Sequence, residues 1–295
     1  MEIRIIGRGA LAGLIAGVLA FVFAYIFAEP QIDKAIDYES GRDEAIDALN
    51  KAAGLPVGDA GPEVFSRGLQ STAGLATGII GFSIAMGALV AVVYLILHGR
   101  FGIRPRTLGL LIAGFGFLGV YLVPFVRYPA NPPAIGHEFT ITTRGHLYLL
   151  MVLVSLVLLT AAVFLGVRLR ARLGVFGASL VAALAFVVVA AAIMFAFPYL
   201  GNLRANVDAK DSFGFARSST ETPQPITDTS GRIVYPGFPA DVLWNFRFAS
   251  VAAQVVVWAL IGLIFSTLVE RFFRPRTTAG SDVAATAETT AVATH

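Results

Sequence analysis

The sequence contains no cysteine, which excludes disulfide bridges, thiolate metal sites and cysteine-based redox chemistry. Charge is the second scarcity. Asp, Glu, Lys and Arg make up 14% of the 295 residues, against about 25% in an ordinary soluble domain. Histidine occurs four times, at 98, 137, 146 and 295. Catalytic signatures are missing too: the sequence has no nucleophile elbow, P-loop, HExxH or Gly-rich dinucleotide fingerprint. No polar segment is large enough to build a nucleotide domain, which excludes an ATP-driven pump within this sequence; any transport would have to draw on a gradient or on a partner. No enzymatic activity and no stably bound cofactor are expected.

What the sequence does have is apolar length. Six stretches lack Asp, Glu, Lys, Arg and His altogether: Gly9–Ala28, Gly68–Leu97, Thr107–Val126, Leu147–Val167, Leu173–Leu203 and Phe248–Val269. About 20 apolar residues cross a hydrocarbon core of about 30 Å, and a soluble helix of this length would show a polar stripe. The pattern predicts an all-α, polytopic transmembrane bundle. Its six spans fall at about 9–28, 69–97, 107–126, 146–167, 174–198 and 247–269, in one membrane domain over 1–276. The Ala/Thr-rich segment 277–295 is predicted to be a disordered cytoplasmic tail. The first span follows Arg4 and Arg8 as a signal peptide would, but Tyr25-Ile26-Phe27-Ala28 is no small-x-small cleavage site, so it reads as retained.

The net charge of +3 does not point to nucleic acid; the basic residues sit between spans, where they orient the chain. One set of connections holds Arg4 and Arg8, then Arg100, Arg104 and Arg106, then Arg168, Arg170 and Arg172, then Arg271, Arg274 and Arg276. The opposite set is acidic, with nine Asp or Glu against four Lys or Arg in 29–67 alone. The positive-inside rule therefore predicts that both termini face the cytoplasm. Outer loops fall at 29–67, 127–145 and 199–246. In the first, Ser40 and Asp43 predict the start of a short surface helix that Gly54 and Pro56 stop. In the second, Pro129, Pro132 and Pro133 forbid a helix. The third reads as a long irregular loop. Pro30, Pro124 and Pro198 each fall near the outer end of a span.

Glycines four apart occur at Gly9, Gly13 and Gly17, and at Gly74 and Gly78, followed by Gly81 and Gly87; Gly114, Gly116 and Gly119 mark the third span. Such patterns let helix backbones approach. They fit tight packing inside the bundle, or a homo-oligomer or partner-subunit interface.

Ionisable groups avoid the bilayer centre and gather at the outer ends of the spans: Glu29, Arg127, His137, Glu138, Arg144, His146, Asp241 and Arg247. A divalent transition metal such as Co²⁺ favours imidazole, with carboxylate or carbonyl oxygen completing the shell. His137 and His146 with Glu138, Glu29 and Asp241 could supply these donors if the proline-rich loop folds over the helix ends. Each also has an ordinary role available: a surface loop histidine, an interfacial histidine, a solvated helix-end carboxylate. Arg144 and Arg247 read as anchors or partners of these acids. The acids of 33–47 form a solvated face that could also raise the local cation concentration.

Three stretches together resemble one family. They are Ala28-Glu29-Pro30 closing the first span, the run Val123-Pro124-Phe125-Val126-Arg127-Tyr128-Pro129-Ala130-Asn131-Pro132-Pro133-Ala134, and Phe238-Pro239-Ala240-Asp241-Val242-Leu243-Trp244-Asn245-Phe246-Arg247. The chain is similar here, and along its second span, to the CbtA family of bacterial cobalt transporter subunits, over most of residues 1–275. The resemblance implies a multi-pass subunit of the bacterial plasma membrane that takes up Co²⁺, paired with CbtB, a small one-span protein with a histidine-rich metal site. It also carries over Glu29, the Tyr128–Pro133 run with Asn131, Asp241, Trp244 and Arg247. The metal candidates are thus Glu29, Asn131, His137, His146 and Asp241. The family is described with five spans, where charge spacing gives six. Two other readings stand beside transport: a non-transporting scaffold or assembly protein, and an interfacial enzyme using His146, Glu138 and Arg144. The topology is checked by tags at both ends, which should resist impermeant reagents in intact cells; labelling of either from outside would overturn it.

Overall fold

The computed structural model describes residues 1–57, 65–213 and 218–273. The predicted tail at 277–295, together with Arg274 and Arg276, lies outside them. Five helical segments are long and apolar enough to cross a membrane, and the fold is nearly all helical.

Helix α1 (Glu2–Phe27) runs almost without interruption into α2 (Glu29–Ala52). Ala28 keeps helical angles and donates to Ala24 O at 2.8 Å. Pro30 sits in the first turn of α2, where its missing N–H is no loss and its fixed φ suits the helix. That proline explains why the surface helix begins at Glu29 and not, as predicted, near Ser40. Its end is where Gly54 and Pro56 predict it. Gly54 takes φ +70, and Leu55 N–H closes onto Asn50 O at 2.8 Å.

The second apolar run comprises a short turn α3 (Arg67–Leu69), a π-helical turn Gln70–Gly74 and α4 (Leu75–Leu97). α4 lies against α1 so closely that the facing glycines could carry no side chain. A Cβ on Gly13 would stand 2.1 Å from Ser83 O, and one on Gly87 would stand 2.2 Å from Gly9 O. The glycine pattern of the first span is therefore used inside the chain, whereas Gly78, Gly81 and Gly114 meet nothing within 4 Å. Helix α9 (Ala240–Phe273) completes this core, where Ile5, Ala12, Val90, Tyr94, Ile112, Trp258, Ile261 and Phe265 are buried together.

The third run starts as α5 (Pro105–Gly116), passes through a π-helical turn Phe117–Leu122 and ends in α6 (Val123–Arg127). Pro124 does not terminate it. In a regular helix residue 124 would donate to Val120 O, but proline has no N–H; the Tyr148 hydroxyl donates there instead, at 3.3 Å.

Helix α7 (Ile141–Ala196) is two helices. Gly174 breaks it with φ 68 and ψ 177, angles only glycine adopts readily. A Cβ on Gly166 would lie 3.5 Å from the Ala182 Cβ, although sixteen residues of straight helix would separate them by about 24 Å. Met151 likewise clusters with Phe186, Met194 and Phe197. Residues 141–173 and 175–196 are thus antiparallel limbs of a hairpin, which turns beside Arg168, Arg170 and Arg172. Leu149, Leu153, Val157, Phe164, Phe176, Val188 and Phe195 stand exposed along it, an apolar surface suited to lipid.

The segment after α7 corrects the expectation of an irregular loop. It holds a 3₁₀ turn Leu200–Asn202, helix α8 (Arg204–Phe213) and an antiparallel ribbon of β1 (Ile226–Thr227) and β2 (Ile233–Tyr235). The Asp228 carboxylate organises the ribbon's turn, accepting from Ser230 N–H at 2.8 Å and Arg232 N–H at 3.0 Å. Such side-chain-to-backbone turns leave little mark on periodicity.

Replacement Gly13→Leu should destabilise the protein by about 3 kcal/mol or more, since backbone must move to admit it. Gly78→Leu should leave thermal unfolding in detergent nearly unchanged. Equal shifts for the two would contradict the helix crossing.

Candidate functional site

The polar groups concentrate at the end of the bundle that carries the prolines. The run after Arg127 cannot be helical, and it is tied down by side chains acting on carbonyls that the break at Pro198 sets free. The Tyr128 hydroxyl donates to Pro198 O at 2.9 Å. Arg127 donates to Phe197 O and places its guanidinium 4.1 Å from the centre of the Tyr199 ring. From α9, Arg247 donates to Asn131 Oδ1 at 2.7 Å and to Ala130 O at 3.2 Å.

Beyond this run lies a buried carboxylate. The Glu221 side chain is 1% exposed. It accepts from His137 N–H at 3.2 Å, from the Thr140 hydroxyl at 3.0 Å and from Asn206 Nδ2 at 2.5 Å. Arg144 Nε is 3.5 Å from it. Asn206 Nδ2 also donates to Leu200 O, and its Oδ1 pairs with His137 Nδ1 at 2.8 Å, assigning the proton to that ring nitrogen. The Arg144 guanidinium lies flat against Gly136 (φ +103), where a Cβ would stand 2.3 Å from Nη1. One acid thereby links the proline-rich segment, α7 and α8.

Between these two groups is a pocket of about 160 Å³, lined by Tyr128, Pro129, Asn131, Arg144, Tyr148 and Leu200. Most of these residues come from the run that carries the family resemblance and the first turns of α7.

The five metal candidates are not gathered around one point. Glu29 is buried and bonded to Arg67, which also reaches Asp33 at 2.8 Å. Asn131 is held by Arg247. His137 is engaged with Asn206 and stacks on Phe139, with ring centres 5.1 Å apart. His146 and Asp241 are exposed in the first turns of α7 and α9. Among the described residues no three His, Asp or Glu side chains are placed to hold a metal ion. Arg144 and Arg247 act as anchors, but not on the acids expected as their partners: Arg144 lies against Glu221 and Arg247 donates to Asn131 Oδ1. Glu138 and His146 stay exposed while Arg144 is drawn to Glu221, so the proposed acid–base trio is not assembled. On α2, burial and then Asp43 raise the Glu39 carboxyl above its usual range; burial and then Asp47 do the same for Asp43.

Glu221, Asn206, Thr140 and Tyr148 carry no spacing that marks them in the sequence. Glu221 stands in a polar Ser-Thr-Glu-Thr-Pro stretch typical of loops, and its φ of 56 is evident only in three dimensions.

Replacement Glu221→Ala strands Arg144 and Asn206 in a buried setting and should cost about 3–5 kcal/mol. Asp241→Ala, at an exposed position, should stay within about 0.5 kcal/mol. Thermal unfolding of the two purified variants separates these outcomes.

A family model described as "Probable cobalt transporter subunit (CbtA)" matches residues 2–270. No curated protein and no solved structure matches the chain.

Proposed function

The chain belongs to the CbtA family, and from that premise we propose that it is the membrane subunit of a system taking up Co²⁺, or a related divalent metal, across the bacterial plasma membrane. It forms one membrane domain that crosses the bilayer six times with both ends cytoplasmic, and it works with a small histidine-bearing subunit. The family match over nearly the whole chain carries the reading. The fold supports it in three ways. The sharp turn at Gly174 makes two limbs of the longest apolar segment, so six runs alternate in direction. The arginine-bearing ends converge: Arg8 lies 4.3 Å from the centre of the Phe272 ring, and Arg106 is 3.9 Å from Glu270. The proline-rich end holds a pocket into which Arg144, Asn131 and two tyrosines bring polar groups.

In this reading the proline-rich end faces outward and receives the substrate. Below it the third run meets α7 in apolar contact. A Cβ on Gly119 would stand 2.8 Å from Leu156 and 2.9 Å from Leu159, so the seam between the third run and α7 is sealed by apolar contact. Passage requires these elements to part, driven by a gradient or by the partner. Of the five candidates, His146 and Asp241 are exposed donors that a metal meets singly along the outer surface, whereas Glu29, Asn131 and His137 act only once released from Arg67, Arg247 and Asn206. The scaffold alternative predicts the same packing without flux.

Deleting the chain should lower radioactive cobalt uptake, and re-expression with the histidine-bearing subunit should restore it. Glu29→Ala and Asp241→Ala, at matched expression, should each restore it only in part. Unchanged uptake after deletion, or no cobalt flux in liposomes holding both subunits, would leave the scaffold reading in its place.

A further inference from the structure

We propose that the pocket at the proline-rich end binds an oxyanion, either a carboxylate of an anionic metal chelate or the phosphate of a lipid headgroup. The inference rests on the transport reading for its setting and deepens it by naming the charge of what this end receives.

The lining carries the argument. Of Tyr128, Pro129, Asn131, Arg144, Tyr148 and Leu200, Arg144 alone is charged, and it is a cation. Its guanidinium is only partly used. One terminal nitrogen donates weakly to His137 O at 3.3 Å, and Nε is buried without a hydrogen-bond acceptor among the described residues, its 3.5 Å approach to Glu221 falling outside hydrogen-bond geometry. Glu221 does not line the pocket: it is buried beside Arg144, and its oxygens accept hydrogen bonds from His137 N–H, the Thr140 hydroxyl and Asn206 Nδ2.

Asn131 repeats this polarity. Its Oδ1 is occupied by Arg247, which leaves the two Nδ2 hydrogens as the unspent part of the amide, with no acceptor among the described residues. Arg127 and Arg247 border the same run, and among the described residues neither has a carboxylate within 4.0 Å; both are held by neutral oxygens. Of the three guanidiniums at this end, Arg144 alone has a buried acid beside it, and Glu138 and Asp241 are exposed to solvent. A bare divalent cation here would meet a guanidinium and two phenol oxygens. An oxyanion would meet a guanidinium and an amide, the donor geometry that recognises carboxylate and phosphate. A volume of about 160 Å³ admits one such group and leaves the remainder of the ligand outside. A metal carried by a small polycarboxylate would then wait at the rim with one carboxylate in the pocket.

The test uses the full chain in phosphatidylcholine nanodiscs. Binding of radiolabelled citrate, of its cobalt complex and of free Co²⁺ in a non-chelating buffer is measured by equilibrium dialysis. Citrate should bind saturably, with or without cobalt. Asn131→Asp keeps the Glu221–Arg144 pair and a partner for Arg247 but puts negative charge in the pocket; it should weaken citrate at least about tenfold. Arg144→Gln should do likewise and Arg144→Lys should retain part of the binding. In nanodiscs containing phosphatidylglycerol, loss of citrate binding, with that lipid retained through purification by the wild type and not by Asn131→Asp, identifies the headgroup as occupant. Citrate binding in both lipids identifies a soluble ligand. The proposal is overturned if neither citrate nor phosphatidylglycerol binds, or if Asn131→Asp tightens free Co²⁺ while leaving citrate unaffected. Loss of cobalt uptake on deletion without oxyanion binding sinks this inference alone; oxyanion binding with unchanged uptake sinks the transport reading alone.

Discussion

Hydrocarbon offers no hydrogen bonds, so any backbone carbonyl released by a break in a helix must find a donor from the protein. The proline-rich end is organised by that requirement. Pro124 has no N–H to give Val120 O, and Tyr148 supplies a hydroxyl. Pro198 ends the hairpin, and Arg127 and Tyr128 reach the carbonyls of Phe197 and Pro198. Each repair joins the third apolar run to α7 or to the segment after it. The helix irregularities and the interhelical contacts are thus one feature, and the pocket is the space these repairs enclose.

Arginine does two jobs in the chain. At one end it lies in short connections that keep most of their guanidiniums near solvent. At the other it acts as a structural donor. Arg67 holds Glu29, Arg144 holds Glu221, Arg247 holds the Ala130–Asn131 turn and Arg127 caps α7. This second use consumes the carboxylate and amide groups that composition alone would assign to a metal. The sequence has no cysteine and four histidines, and among the described residues both buried carboxylates, Glu29 and Glu221, are taken by arginine.

Charge-free runs made the apolar segments legible, because insertion into lipid is written in composition over about 20 residues. Gly54 as a helix stop and Gly9, Gly13 and Gly17 as a packing face were equally readable. Other features lay beyond reach for identifiable reasons. The start of α2 at Glu29 depended on Pro30 lying in a first turn, where proline extends a helix and does not end it. The ribbon around Asp228 arises from one side chain bonding its own backbone. Glu221 acquires its importance from neighbours at 137, 140, 144 and 206, a set with no local pattern. Spacing arguments find elements that repeat along the chain; they do not find a lone acid whose partners arrive from two distant stretches.

The hairpin of α7 has a mechanical consequence. Its limbs touch the remaining helices along the π-helical turn and α6, while the seam of α1, α4 and α9 is knit by glycines elsewhere. A body joined along one edge pivots about that edge. The tyrosine and arginine ties at Phe197, Pro198 and Val120 all sit near the upper end of the edge, so they act as a pin, and tilting the limbs moves the arginine-bearing tip at 168–172 furthest. A force applied to that tip would open the Gly119–Leu156 contact by leverage, leaving the glycine-knit core undisturbed.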